Sequence, residues 1–146
     1  MHLSSTKFLA PISLIAAMLA CGGDSTSPDR SGLAGSYTAI QWTTSGTSGQ
    51  TSQLAIGSTL QINLNADGST SGHMHIAASN GNPPADFDLT GTWTQSGTTV
   101  DLTQAADNFL RDMIFAIDQI GTGILDLVGD HTFSGGRVQL TLRRGP

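Results

Sequence analysis

Between Tyr37 and Leu142, apolar residues recur at every second position in one short run after another. Polar or glycine-containing links separate most of the runs. A period of two puts the apolar residues of a run on one face of an extended strand, so the chain is constrained to form a sheet with one oily side. Eight segments alternate or carry dense β-formers: 35–44, 53–65, 70–78, 86–95, 98–104, 112–118, 124–133 and 136–144. Many short strands at near-regular spacing imply a sandwich or a barrel. Composition agrees. All eleven acidic residues are Asp, and Lys7 is the sole Lys. Beyond residue 7 the chain has neither Glu nor Lys, the usual solubilising helix formers, and a helical bundle is a poor fit. Disordered chains rich in Gly and Ser lack this alternation.

Turn chemistry predicts the local registers. Asn65-Ala66-Asp67-Gly68 has the form of a type I turn followed by a left-handed glycine. Placing Asn65 opposite Ser69 sets Ile62 opposite Gly72 and Leu60 opposite Met74, which leaves one face apolar on both strands. Ser96-Gly97 is read as a two-residue hairpin, with Gln95 facing Thr98, Trp93 facing Val100 and Gly91 facing Leu102. Ser134-Gly135-Gly136 supplies a third turn. Residues 104–120 admit two readings. The polar positions follow helical spacing, whereas the Met113–Ile117 run suits a short turn followed by a strand over 112–118 with Met113, Phe115 and Ile117 on one side. The β-rich run and the surrounding meander favour the strand.

The N-terminus carries an address. Met1–Lys7 is short and basic, and the apolar run Phe8–Leu19 is too short to cross a bilayer, which takes about 20 residues. Small residues and then Cys21 follow, in the order of a secretory signal. Met18-Leu19-Ala20-Cys21 resembles a bacterial lipobox. The resemblance implies that Cys21 is lipidated and becomes the first residue of the mature chain. Residues 1–20 are then a signal peptide, 21–32 a lipidated flexible tether and 33–146 the folded domain. The implied partner of the acyl anchor is the lipid bilayer. By similarity to lipoprotein sorting signals, Gly22 rather than Asp after the cysteine points to the outer membrane of the cell envelope. A lone cysteine excludes a disulfide framework and a multi-cysteine zinc site within the chain. The net charge of −5 argues against nucleic acid as a partner.

A pattern recurs in the body: Leu33-Gly35-Tyr37, Leu89-Gly91-Trp93 and, more faintly, Leu127-Gly129-His131. In each, the three residues share one strand face, and the central glycine admits a neighbouring ring or backbone. The first copy resembles the opening strand of the lipocalins, with Tyr37 where that family has Trp. Leu64–Ser69, Gly91–Thr94 and Leu140–Arg144 are also similar to bacterial lipocalin-like lipoproteins. The resemblance implies an all-β fold, an eight-stranded antiparallel up-and-down barrel. It also implies an Arg from the last strand covering the opening aromatic. Arg144 shares the parity of Val138, Leu140 and Leu142 and is placed to reach Tyr37 as a cation–π contact at the barrel end.

A small barrel is either filled by side chains or holds one small ligand. The inward-facing candidates for lining a cavity are Tyr37, Leu60, Ile62, Met74, Phe87, Trp93, Leu102, Phe115 and Leu140. Gly35, Gly72 and Gly91 on the same face leave room, and the mouth falls near the polar loops Thr43–Gln53 and Ala77–Ala85. A small apolar ligand suits such a lining. The alternative is a filled barrel serving as a structural or interaction module.

A third reading is a weak divalent-metal site through His73 and His75, which share the outer face. If Ala77 faces Asp86, His75 faces Asp88. A solvated His–Asp pair is the plainer account. Enzymatic activity is not expected. Gly-x-Ser-x-Gly is absent, since Gly68–Gly72 has Thr70 at the nucleophile position. Phosphate-binding glycine loops are absent too, and no cofactor is expected. Oligomeric state is not legible.

Overall fold

The link after Leu64 shows how these residues make strands. In the computed structural model, which describes residues 32–79, 81–120 and 123–146, Gly68 takes φ +88°, a conformation a Cβ disfavours. Its N–H donates to Asn65 O at 2.9 Å. Asp67 Oδ1 accepts from the Ser69 N–H at 2.8 Å. The chain reverses in place and locks β3 (Thr59–Leu64) against β4 (Ser69–Ile76). Leu60 faces Met74 and Ile62 faces Gly72, the predicted register.

The hairpin of β6 (Gly91–Ser96) and β7 (Thr99–Gln104) differs from its prediction. Gly97, at φ +57°, is the first residue of the turn rather than the second. Ser96 therefore pairs with Thr99, Trp93 with Leu102 and Gly91 with Gln104. Each partner moves by two residues. A shift of two preserves every face, so the apolar side survives the error.

The remaining strands are β1 (Gly35–Gly46), β2 (Gly49–Ser52), β5 (Ala85–Asp88), β8 (Ile114–Ile120), β9 (Ile124–Phe133) and β10 (Gly136–Arg144). All neighbours are antiparallel. β2 pairs with the end of β1 and β3 with its start, so the two occupy one position in the wall. β5 and β6 likewise share a position beside β4. The ring then has eight positions in chain order, and β10 closes it on β1 from Tyr37 to Gly46. This is the antiparallel up-and-down barrel that the family resemblance implied, one of the two architectures the alternation left open, and closure removes the exposed edges of an open sheet.

Most strand ends move by one or two residues, and three regions depart further from the predicted segments. The run 53–65 is a strand only from Thr59. Residues 53–58 turn instead, because the Gln53 side chain organises them: its Nε2 donates to Thr44 Oγ1 at 2.7 Å and its Oε1 accepts from Ser58 Oγ at 3.1 Å. The run 86–95 breaks at Leu89–Thr90. Residues 104–120 contain no α-helix. A 3-10 turn over Phe109–Asp112 is capped by Asn108, whose Oδ1 accepts from the Leu110 N–H at 3.0 Å, and β8 follows. Met113 and Phe115 are buried and Ile117 half-buried, on the one side predicted for the strand.

The core is the barrel interior. Tyr37, Ile62, Met74, Leu89, Trp93, Phe115, Leu127 and Leu142 are closed to solvent or nearly so. The repeated glycines do not leave room. The aliphatic stem of Arg144 passes over Gly35, and a Cβ there would lie 3.0 Å from Arg144 Cδ. At Gly72 and Gly91 a Cβ would collide with the neighbouring strand's backbone, at Gln61 O and Thr103 O. At Gly129 it would lie 2.7 Å from both the Phe115 ring and Met113 Cε. The gap left by each missing side chain is taken up by a close neighbour, so the expectation of space at Gly35, Gly72 and Gly91 is corrected.

Candidate functional site

The meander gives the barrel two unlike ends. The lower end carries the chain entry at Leu33, the Asn65–Gly68 and Gly97–Thr98 turns and the exit at Arg144. Tyr37 is fully buried there, and its hydroxyl donates to Leu33 O at 2.6 Å. Burial pushes the phenol up to about 12, and the Arg144 charge offsets a part of this. Trp93 Nε1 donates to Asn65 O at 2.8 Å. Arg144 pairs with Tyr37 across the ladder and donates from Nη1 to Gly32 O at 2.7 Å. It thus lies at the barrel end. What it grips is the entering backbone.

The upper end carries the β1–β2 turn, the loop after β4, the loop holding the 3-10 turn and the β9–β10 turn. A cavity of about 540 Å³ opens there, lined by both loops predicted to form the mouth. Its apolar wall is Trp42, Ile76, Phe109, Phe133 and Val138. Its polar wall includes Thr44, Thr51, Gln53, Ser79 and Asn82, and none of the described lining residues is charged. Small-molecule sites run to roughly 300–1,000 Å³, so the volume admits a small ligand.

None of the nine predicted lining residues borders this mouth. Tyr37, Leu60, Ile62, Met74, Trp93, Leu102, Phe115 and Leu140 are core, and Phe87 is half-buried against it. Leu60 also borders a cleft of about 250 Å³ between β1 and β3, with Ala39 and Leu54. The interior below the mouth is plugged from above, because the loop after β7 drops Leu110 and Met113 into it, 0% and 1% exposed.

Foremost among the wall residues that sequence reasoning missed is Trp42. Strict alternation from Tyr37 puts position 42 outside. In the structure Ala39 opposes Leu142 and Gln41 opposes Thr141, which leaves Ile40 as a bulge. Inward parity jumps from Ala39 to Trp42, which is 1% exposed, while Ile40 is 44% exposed. The available signal was a Trp and an Ile separated by one residue, both of which strict alternation from Tyr37 puts on the wet face. Trp42 meets Phe109 with ring centroids 5.6 Å apart and planes tilted by 51°. Its Nε1 is buried and has no hydrogen-bond partner within the protein. Asn108 Nδ2 is in the same condition.

On the outer wall, His73 faces Asp88 and His75 faces Asp86, two residues from the predicted pairing. Both rings turn to one carboxylate oxygen, with Asp86 Oδ1 at 2.8 Å from His75 Nδ1 and 3.5 Å from His73 Nε2. The groups are between a third and two-thirds exposed, and such pairs contribute little. Among the described residues no group of three or more His, Cys, Asp or Glu is placed to hold a metal ion. The leader, Cys21 and the tether up to Ser31 lie outside the described residues.

No protein family matches the chain, and comparison with characterised proteins and with solved structures finds no match either.

Proposed function

We propose that this chain is a lipocalin-like lipoprotein, anchored through Cys21 to the bacterial envelope, whose barrel mouth binds a small molecule. The observation that carries the reading is the cavity of about 540 Å³ at the end opposite the chain entry, walled by aromatic and aliphatic side chains. Rings at a pocket wall offer large contact area at small entropic cost. The role is binding rather than catalysis, at the outer membrane, with no nucleic-acid partner. The anchor rests on Met18–Cys21 alone. The domain's first described residues enter at the lower end, opposite the mouth.

The filled interior favours a second reading, a structural or interaction module. Titration with an uncharged fluorescent naphthylamine separates the two. The binding reading expects saturable fluorescence, weakened about tenfold in Phe109→Ala, a loss typical of a buried aromatic anchor. The structural reading expects none. Anchoring is checked by feeding cells an alkyne-tagged fatty acid. Label on the full chain that disappears in Cys21→Ser supports it, and an unlabelled full chain ends it.

A further inference from the structure

The two tryptophans of this chain are both 1% exposed, yet only one has its hydrogen bond. Trp93 Nε1 donates to Asn65 O at 2.8 Å. Trp42 lines the mouth, and its Nε1 is buried with no partner within the protein. Native proteins pair nearly all such donors, so an orphan next to a cavity calls for an occupant. An indole N–H only donates, and what completes it must be an acceptor. Asn108, one residue before the Phe109 ring that packs on Trp42, has a second orphan of the same kind. Its Oδ1 is already engaged as the cap on Leu110 N, so Nδ2 is again a donor seeking an acceptor.

Charge narrows the occupant further. The described lining residues include Thr, Ser, Gln and Asn, but no Asp, His, Arg or Lys. A carboxylate or phosphate entering this mouth sheds water and meets no counter-charge. We infer that the mouth is built for an uncharged ligand with an apolar body and an acceptor oxygen, the body resting on Phe109, Ile76 and Val138 and the oxygen accepting from Trp42 Nε1. The inference rests on the binding reading above and narrows its ligand class. It turns away from fatty-acid anions, although an oily barrel lining alone would admit their chains.

Octanamide and octanoate form a matched pair at neutral pH, with equal chain length and different charge. The full-length chain in lipid nanodiscs, labelled with ¹⁵N at its two indoles, is titrated with each. Octanamide is expected to move the Trp42 indole proton downfield and leave that of Trp93 in place. Octanoate is expected to bind at least tenfold more weakly. Trp42→Phe keeps a ring on the wall and removes the donor; it is expected to weaken octanamide by about two- to tenfold, the worth of one net hydrogen bond. Octanoate binding as tightly as octanamide overturns the uncharged-ligand inference and leaves the cavity reading standing. Octanamide binding with a stationary Trp42 signal, or with full affinity in Trp42→Phe, overturns the donor assignment. If neither compound perturbs residues of the mouth, the binding reading itself falls.

Discussion

At the lower end of the barrel the buried aromatic donors are satisfied, and at the upper end the matching one is not. Tyr37 and Trp93 hand their polar hydrogens to Leu33 O and Asn65 O, and Arg144 ties the exit strand to Gly32 O. Trp42, equally buried, has no such partner, and its neighbourhood opens into a cavity. One ring of strands thus supports two energetic strategies. Below, side chains close the tube and fix its register. Above, a donor stays unpaired and apolar walls stay partly wet, which costs stability unless something else fills the space. Such departures from a satisfied core are where function is expected in a small barrel.

The contrast is sharpest for ring removal. Trp93→Ala empties a fully packed site at the lower end and is expected to cost about 3–5 kcal/mol, the usual penalty for deleting a large buried ring. Phe109→Ala on the half-buried rim is expected to cost about 1–2 kcal/mol, in line with the smaller area it covers. Urea unfolding of both variants measures the pair. Equal losses would mean the mouth is as much a part of the core as the base.

Tyr37→Phe tests the base more gently. It leaves Leu33 O without its donor, at a cost of about 1–3 kcal/mol near neutral pH. It also changes the alkaline limb. Burial raises the Tyr37 phenol from 10.0 to about 12 in the folded chain. The unfolded chain therefore loses its proton first as pH rises. The stability tied to the neutral phenol is complete below about pH 10 and is lost as pH climbs through about 12. Wild type is expected to weaken across that window in pH-dependent denaturation. Tyr37→Phe, with no phenol to ionise, is expected to show a flatter limb.

The same two ends show what alternation can and cannot say. It placed Tyr37, Trp93, Phe115 and Leu140 inside, and the Asn65–Gly68 chemistry placed Leu60 opposite Met74, because these depend on period and local turn type alone. The Gly97 hairpin came out two residues off, since either Gly97 position closes a hairpin and both keep the same faces. The mouth loops were legible as polar breaks in the pattern, but the mouth's wall was not. A bulge at Ile40 reverses parity without any mark in spacing, and Phe109 reaches the site from a loop with no period at all. The inner glycines misled for a related reason. A missing side chain looks like space in a sequence, and in the fold Phe115, Met113 and neighbouring backbone had already taken it.

The smallest expected effect discriminates most. Trp93→Phe and Trp42→Phe remove the same atoms from two sites of equal exposure, so the area lost is alike. They differ in one polar bond. Trp93→Phe strands Asn65 O, whereas Trp42→Phe removes a donor that had nothing to lose. Without ligand, Trp42→Phe is expected to be the milder change by about 0.5–1.5 kcal/mol, the net worth of a hydrogen bond. Paired denaturation curves read this difference directly. If Trp42→Phe proves as costly as Trp93→Phe, the Trp42 indole already has a partner in solution, and the distinction drawn between the two ends of the barrel loses its foundation.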